Sequence, residues 1–216
     1  MRNLFNPDNV WFRYMEILAN LMILNVLCLL CALPIITIGP MLAALYSVTL
    51  KMAIDEETGI FSTFFCALRS NWKQGLILGI LFTGFAAFWF FDLLYSYTLI
   101  QQGASIPRSI LLGLLFAGCF ILMMGIYLFS LIAKFKNTLR GHFRTALQLI
   151  FRHLGKSLLM LVIALVPFLL LLYSPKGFAI SGIFYLLCGI PAVAYFQSRI
   201  LNKIFIQYIH LSSEQK

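Results

Sequence analysis

Acidic side chains are scarce in this chain: seven of 216 residues are Asp or Glu, against sixteen Lys or Arg. All four charged types together make up 11% of the sequence, whereas a soluble domain carries roughly a quarter. A water-facing globule cannot be covered with so little polar surface. Strand-period alternation is also missing, which excludes a β-barrel in favour of helices. Histidine occurs three times, at His142, His153 and His210, and never at a ligand spacing. No H-E-x-x-H, P-loop, G-x-G-x-x-G or G-x-S-x-G pattern appears, and an active site needs convergent titratable groups. The chain is therefore expected not to be an enzyme and to hold no cofactor or metal.

What fills the sequence is oil: 62% of residues are hydrophobic and 15% aromatic. Several runs reach the ~20 apolar residues needed to cross a ~30 Å hydrocarbon layer. The formal charge of +9 does not point to nucleic acid, because the basic residues lie between apolar runs rather than in one aromatic-laced block. Cys28 and Cys31 form a C-x-x-C inside the first apolar run, with no second pair or nearby histidine. They read as small packing residues. Cys66, Cys119 and Cys188 stand alone.

Asn6-Pro7-Asp8 is a helix start, with Asn6 to cap, Pro7 in the first turn and Asp8 at the positive dipole end. The first span is Ile17–Leu33. No small-x-small site precedes Pro34, so it is expected to be retained and not cleaved as a signal peptide. Pro34 and Pro40 bracket a break, after which Met41–Ile54 is short for a crossing. Two readings compete: a hairpin of two spans, which is favoured, and a re-entrant segment that leaves five. Asp55-Glu56-Glu57 reads as a solvated helix end. Gly75–Ile100, Ser109–Ala133, Ser157–Tyr173 and Phe178–Gln197 complete six spans in one integral membrane domain, residues 1–216.

Two further stretches are amphipathic and belong at a membrane surface. In one, Phe61, Phe64, Phe65, Leu68 and Trp72 recur at helical spacing. In the other, Phe143, Leu147, Ile150 and Leu154 form an apolar stripe beside Arg144, Gln148, Arg152 and Lys156. At an offset of 82 residues Phe61 matches Phe143, Thr63 matches Thr145 and Leu76 matches Leu158. The order of parts points to a parallel internal repeat, with half-units 1–100 and 109–200.

With six spans, fourteen of the sixteen basic residues fall on one side, and only Arg108 and Lys176 on the other. The positive-inside rule makes the first side the cytoplasm, with both termini there, in a bacterial-type plasma membrane. His142 and His153 then read as surface residues.

Asp92 is the one acid inside an expected span, where a central charge costs about 2.5–3.5 kcal/mol. It lies about 25 Å along its helix from Gly75, near the outer surface with Tyr95 and Tyr97. Anchoring there competes with a substrate or ion contact. Asn20 and Asn25 in the first span suit hydrogen bonds between helices. The broken segment with Pro34, Thr37, Gly39 and Pro40 marks either a site in a discontinuous helix or a structural turn. Phe61, Phe65, Trp72, Phe143, Arg144 and Arg152 are the candidates for docking a partner.

Leu33-Pro34-Ile35, Thr37-Ile38-Gly39-Pro40 and Ala43-Ala44-Leu45-Tyr46 resemble the YesL-like family of small bacterial membrane proteins. So do Glu56-Glu57-x-Gly59, Phe61, Phe64-Phe65 and Asn71-Trp72-Lys73-Gln74. The rest of the chain agrees in span order and length alone. The resemblance adds Tyr46 to the interaction candidates. It implies a link to carbohydrate use, with the permease or ATPase of an ATP-driven oligosaccharide importer as partner beside the lipid bilayer. The family assigns no catalytic residue. An independent small transporter or channel, and a membrane-bound regulator or assembly factor, are the alternatives.

Overall fold

The computed structural model describes residues 10–56, 59–102, 108–173 and 182–214, and these are helical throughout apart from turns. Helix α1 is Val10–Ala32, and a 3-10 turn at Ile35–Thr37 leads into α2, Ile38–Met52. Then follow α3 (Ile60–Ser70), α4 (Trp72–Gln101), α5 (Arg108–Lys134), α6 (Leu139–Arg152) and α7 (Leu154–Tyr173). A π-helical turn, Tyr185–Gly189, precedes α8, Ile190–Glu214. The expected helix start at Asn6–Asp8, most of the 101–108 loop and the turn at 174–177 lie outside the described residues.

Five segments are long and apolar enough to cross a membrane: Arg13–Ala32, Ile35–Met52, Trp72–Leu99, Ile110–Lys134 and Gly182–Ile209. Helices α6 and α7 meet at 100°; counted as one bent span, that pair would bring the number among the described residues to six. The fold is thus the all-α membrane-type bundle read from the sequence, and the described part of each expected span is helical but for Leu33 and the turn that closes α2. One boundary moves: the last helix runs on to Glu214 rather than ending at Gln197, so Arg199 and Lys203 are helical.

Local chemistry accounts for the breaks. Pro34 is extended (φ −81°, ψ 116°), which stops α1, and Pro40 sits in the first turn of α2, where its missing N–H costs nothing. The Thr37 hydroxyl lies within hydrogen-bond reach of the carbonyls of Cys31 and of Pro34 (2.6 Å for the latter), covering groups that the end of α1 leaves open. After α2, Asp55 turns the chain with φ 59° and pairs with Arg13, the one ion pair among the described residues. Thr138 caps α6 by accepting the Gly141 N–H at 3.3 Å.

Helix α2 is the hub, packing against α1, α3, α4, α5 and α8. Of its span 67% is buried within the protein, against 11% for Trp72–Leu99. A helix apolar on every side belongs inside, whereas α4 turns Phe85, Phe88 and Phe91 outward, as a lipid-facing helix does. Helices α4 and α5 run antiparallel: Trp89 Nε1 donates to the Leu114 carbonyl at 2.7 Å, and Gln74 Nε2 to the Asn137 carbonyl at 3.0 Å. Gly39 at the start of α2 abuts Gly75 and Gly79 of α4, while the Ser47 hydroxyl donates to the Ala133 carbonyl at the end of α5 (3.2 Å). So α2 lies across the neighbouring ends of those two helices, and α3 leads back along it to the start of α4. That crosswise packing is what the re-entrant reading of this segment predicts, while its length and composition also suit a span.

The two surface helices are built alike. One residue, Asn71, separates α3 from α4, and one residue, His153, separates α6 from α7. These positions are 82 apart, the offset found in the sequence. Buried Ile60 and Phe64 with half-buried Ala67 and Leu68 face inward on α3; buried His142, Ala146, Leu149 and Ile150 do so on α6, in the same register.

Candidate functional site

Polar side chains buried among the helices concentrate on one face of α8. Gln197, Ser198 and Asn202 share that face with Leu201 and Phe205, the i, i+1, i+4, i+5, i+8 spacing of a buried stripe. Tyr46 of α2 donates its hydroxyl proton to Gln197 Oε1 at 2.6 Å, and Gln197 Nε2 donates to the Met160 carbonyl of α7 at 3.2 Å. The hydroxyls of Thr49 and Ser198 are 2.8 Å apart. Asn202 Nδ2 donates to the Leu50 carbonyl, and its Oδ1 accepts from Lys134 Nζ of α5, both at 2.8 Å. The hydroxyls of Tyr127 and Ser157 pair at 2.9 Å between α5 and α7. An unmet polar group in hydrocarbon costs several kcal/mol on the order of a lost hydrogen bond, so these pairs fix which helices meet and in what register. Beside them Ser47, Lys51, Glu56, Lys134 and Asn202 line a small cavity of about 230 Å³.

Asn25 has the role between helices that its residue type predicts. Its Nδ2 donates to the carbonyls of Tyr185 (3.1 Å) and Leu186 (2.7 Å) in the π turn. Pro191, just past that turn, has no N–H to offer the preceding turn, and the local widening relieves its ring. The fully buried Asn25 Oδ1 has no partner among the described residues.

The Pro34–Pro40 break is packed differently at its two ends. Gly39 and Pro40 are buried, and a Cβ on Gly39 would lie 2.0 Å from the Gly75 carbonyl oxygen and 2.6 Å from Gly79 Cα. This is a small-residue crossing that brings two backbones together. Leu33, Ile35 and Ile36 are 79%, 67% and 61% exposed, so this half of the break faces outward. Asp92 is half-buried and makes no hydrogen bond or ion pair among the described residues. It lies about 20 Å along α4 from Gly79, and the break and Asp92 do not converge.

On α3 the aromatic stripe divides. Phe64 is fully buried against the core, while Phe61, Phe65 and, at the start of α4, Trp72 are exposed. On α6 Arg144 and Arg152 are exposed and Phe143 is half-buried. His142 corrects the reading of a surface residue: it is 1% exposed, because it lies four residues before Ala146 and seven before Leu149 on the inward face. Burial pushes its imidazole pKa down, with the Asn137 backbone contact opposing, and Nε2 has no hydrogen-bond partner. Among the described residues no group of His, Cys, Asp or Glu could hold a metal ion; Cys28 is buried and Cys31 half-buried.

The reading from residues alone missed the α8 stripe, because it ended the last span at Gln197. The signal was there: Gln197, Ser198 and Asn202 share a face with apolar residues four and eight further on.

These features define a multi-pass helical membrane protein whose buried polar groups lock helices together. Residues 21–93 match a family described as a protein of unknown function, DUF624, the family of the YesL-like proteins. That stretch contains the motifs from Leu33 to Gln74 on which the resemblance rests. No curated protein and no solved structure matches the chain significantly.

Proposed function

We propose that this chain is a non-enzymatic membrane component of oligosaccharide uptake, an accessory partner of an ATP-driven importer, set in a bacterial plasma membrane with both termini in the cytoplasm. The observation that carries a docking role is the division of the surface helices. Each holds one face against the core and leaves the other out, with Phe61 and Phe65 on α3 and Arg144, Phe151 and Arg152 on α6. The mutual pairing of Tyr46 with Gln197 and of Thr49 with Ser198 supports a scaffold over a reaction centre. The importer as partner rests on the resemblance of residues 33–74 to the YesL-like family.

Affinity capture of the tagged chain in mild detergent tests this. The expected result is recovery of a permease or ATPase subunit, weakened by Phe61→Ala with Phe65→Ala. Recovery of no importer subunit, together with intact sugar uptake after deletion of the gene, removes the proposal.

The unpaired Asp92 favours a second reading, an independent transporter or channel. It requires solute flux in liposomes holding the purified chain alone, and Asp92→Asn must abolish that flux.

A further inference from the structure

A second cleft, of about 640 Å³, opens where α3 meets α4 and is closed on its other side by the link between α5 and α6. Three cations line it, from three separate pieces of chain: Arg69 on α3, Lys73 on α4 and Lys136 in the link. No carboxylate lines it, and none of the three makes an ion pair or hydrogen bond among the described residues. The first turn of the 30-residue α4 opens here, so Lys73 stands at the positive end of that helix dipole, while Arg69 occupies the last turn of α3. The three like charges repel one another, and an anion seated between them attracts each of them and the start of α4.

The walls are held apart by structure. Gln74 Nε2 donates to the Asn137 carbonyl across the cleft, and the Gly39–Gly75 crossing fixes the start of α4 from behind. Trp72 and Phe135 stand on its lining, Trp72 39% exposed, an aromatic pair suited to the headgroup level of a bilayer. Ser70 and Asn71 add neutral polar groups. At the junction 82 residues on, at His153, Phe151 stands in the place of Arg69 and Gly155 in that of Lys73, with Arg152 and Lys156 shifted one residue along the chain.

We propose that this cleft is a binding site for a phosphate-bearing anion, held by Arg69, Lys73 and Lys136. A phospholipid headgroup and a free phosphate compound share that chemistry. The full-length chain, purified in neutral detergent, is probed in two arms: phosphatidylglycerol against phosphatidylcholine by native mass spectrometry, and inorganic phosphate by its effect on the unfolding temperature. A headgroup source predicts retained phosphatidylglycerol and little phosphatidylcholine; a free source predicts a rise in unfolding temperature with millimolar phosphate. In either arm Lys136→Gln, which lies outside every helix, lowers affinity about fivefold, the equivalent of about 1 kcal/mol per surface charge. Arg69→Gln, Lys73→Gln and Lys136→Gln together abolish selectivity, whereas Arg144→Gln with Arg152→Gln on α6 preserves it. The proposal is overturned if neither probe binds, if Lys136→Gln, checked for an unchanged helical spectrum, binds like the parent, or if the α6 control loses as much.

Discussion

Gly39 and Gly75 meet backbone to backbone, so closely that a methyl group on Gly39 would sit 2.0 Å from the Gly75 carbonyl oxygen. Alanine normally favours a helix over glycine by about 0.5–1 kcal/mol. Here the sign reverses. Gly39→Ala is expected to destabilise by about 1–3 kcal/mol as overpacking, read as a lower unfolding temperature in detergent. Gly113→Ala, whose added Cβ meets nothing within 4 Å, serves as the control and is expected to be neutral or stabilising.

Replacement of Asn25 by Leu leaves the Tyr185 and Leu186 carbonyls of the π turn without their donor. Hydrogen bonds between membrane helices contribute about 0.6–1.7 kcal/mol each in double-mutant cycles. A loss of about 1–2 kcal/mol is expected, with faster amide exchange around residues 185–191. Unchanged exchange there would show that the turn is held by Pro191 alone.

For Tyr46 and Gln197, a double-mutant cycle with Tyr46→Phe and Gln197→Leu should return a coupling of about 0.6–1.7 kcal/mol. Additivity of the two single losses would mean that the 2.6 Å contact contributes nothing of its own.

Stability should fall on acidification. Burial lowers the His142 pKa in the folded chain, while in the unfolded chain the ring takes up a proton near the ordinary value of about 6.5. Below that pH the unfolded state binds more protons, so stability is complete above it and is lost as the pH drops toward the folded value. His153 acts in the same direction, lowered by desolvation and by Lys156 and Arg152. His142→Leu should flatten the decline between pH 6.5 and 5 by up to one proton, measured as unfolding temperature against pH. An unchanged slope would place the titration at another group.

Helices were legible wherever hydrophobic period and length spoke together. Phe64 and Leu68 announce α3, Phe143 and Ile150 announce α6, and the 82-residue offset carries over into matching inward faces. The inner side of α6 was not legible at His142, since a lone imidazole between Arg140 and Arg144 looks like a surface residue until Ala146 and Leu149 are seen to share its face. The proline-bracketed break left α2 open between a span and a re-entrant segment. Its crosswise course follows from Gly39 meeting Gly75 and Gly79 and from Ser47 meeting Ala133, contacts between distant residues that no local pattern encodes. Of the interaction candidates, Asn25 was recognisable as a polar residue in oil and Tyr46 came with the family resemblance, but their partners in the π turn and on α8 were not legible, because pairing depends on register.

At 30 residues α4 is about 45 Å long, some half as long again as the hydrocarbon it would cross. Bilayer thickness then becomes a variable of the protein's own shape. In thin membranes this helix must lean or emerge, and in thick ones it can stand upright, carrying α5 with it through the Trp89–Leu114 bond. Short-chain and long-chain lipids would therefore select different inclinations of the same hairpin, while the ends clamped by α2 stay where they are.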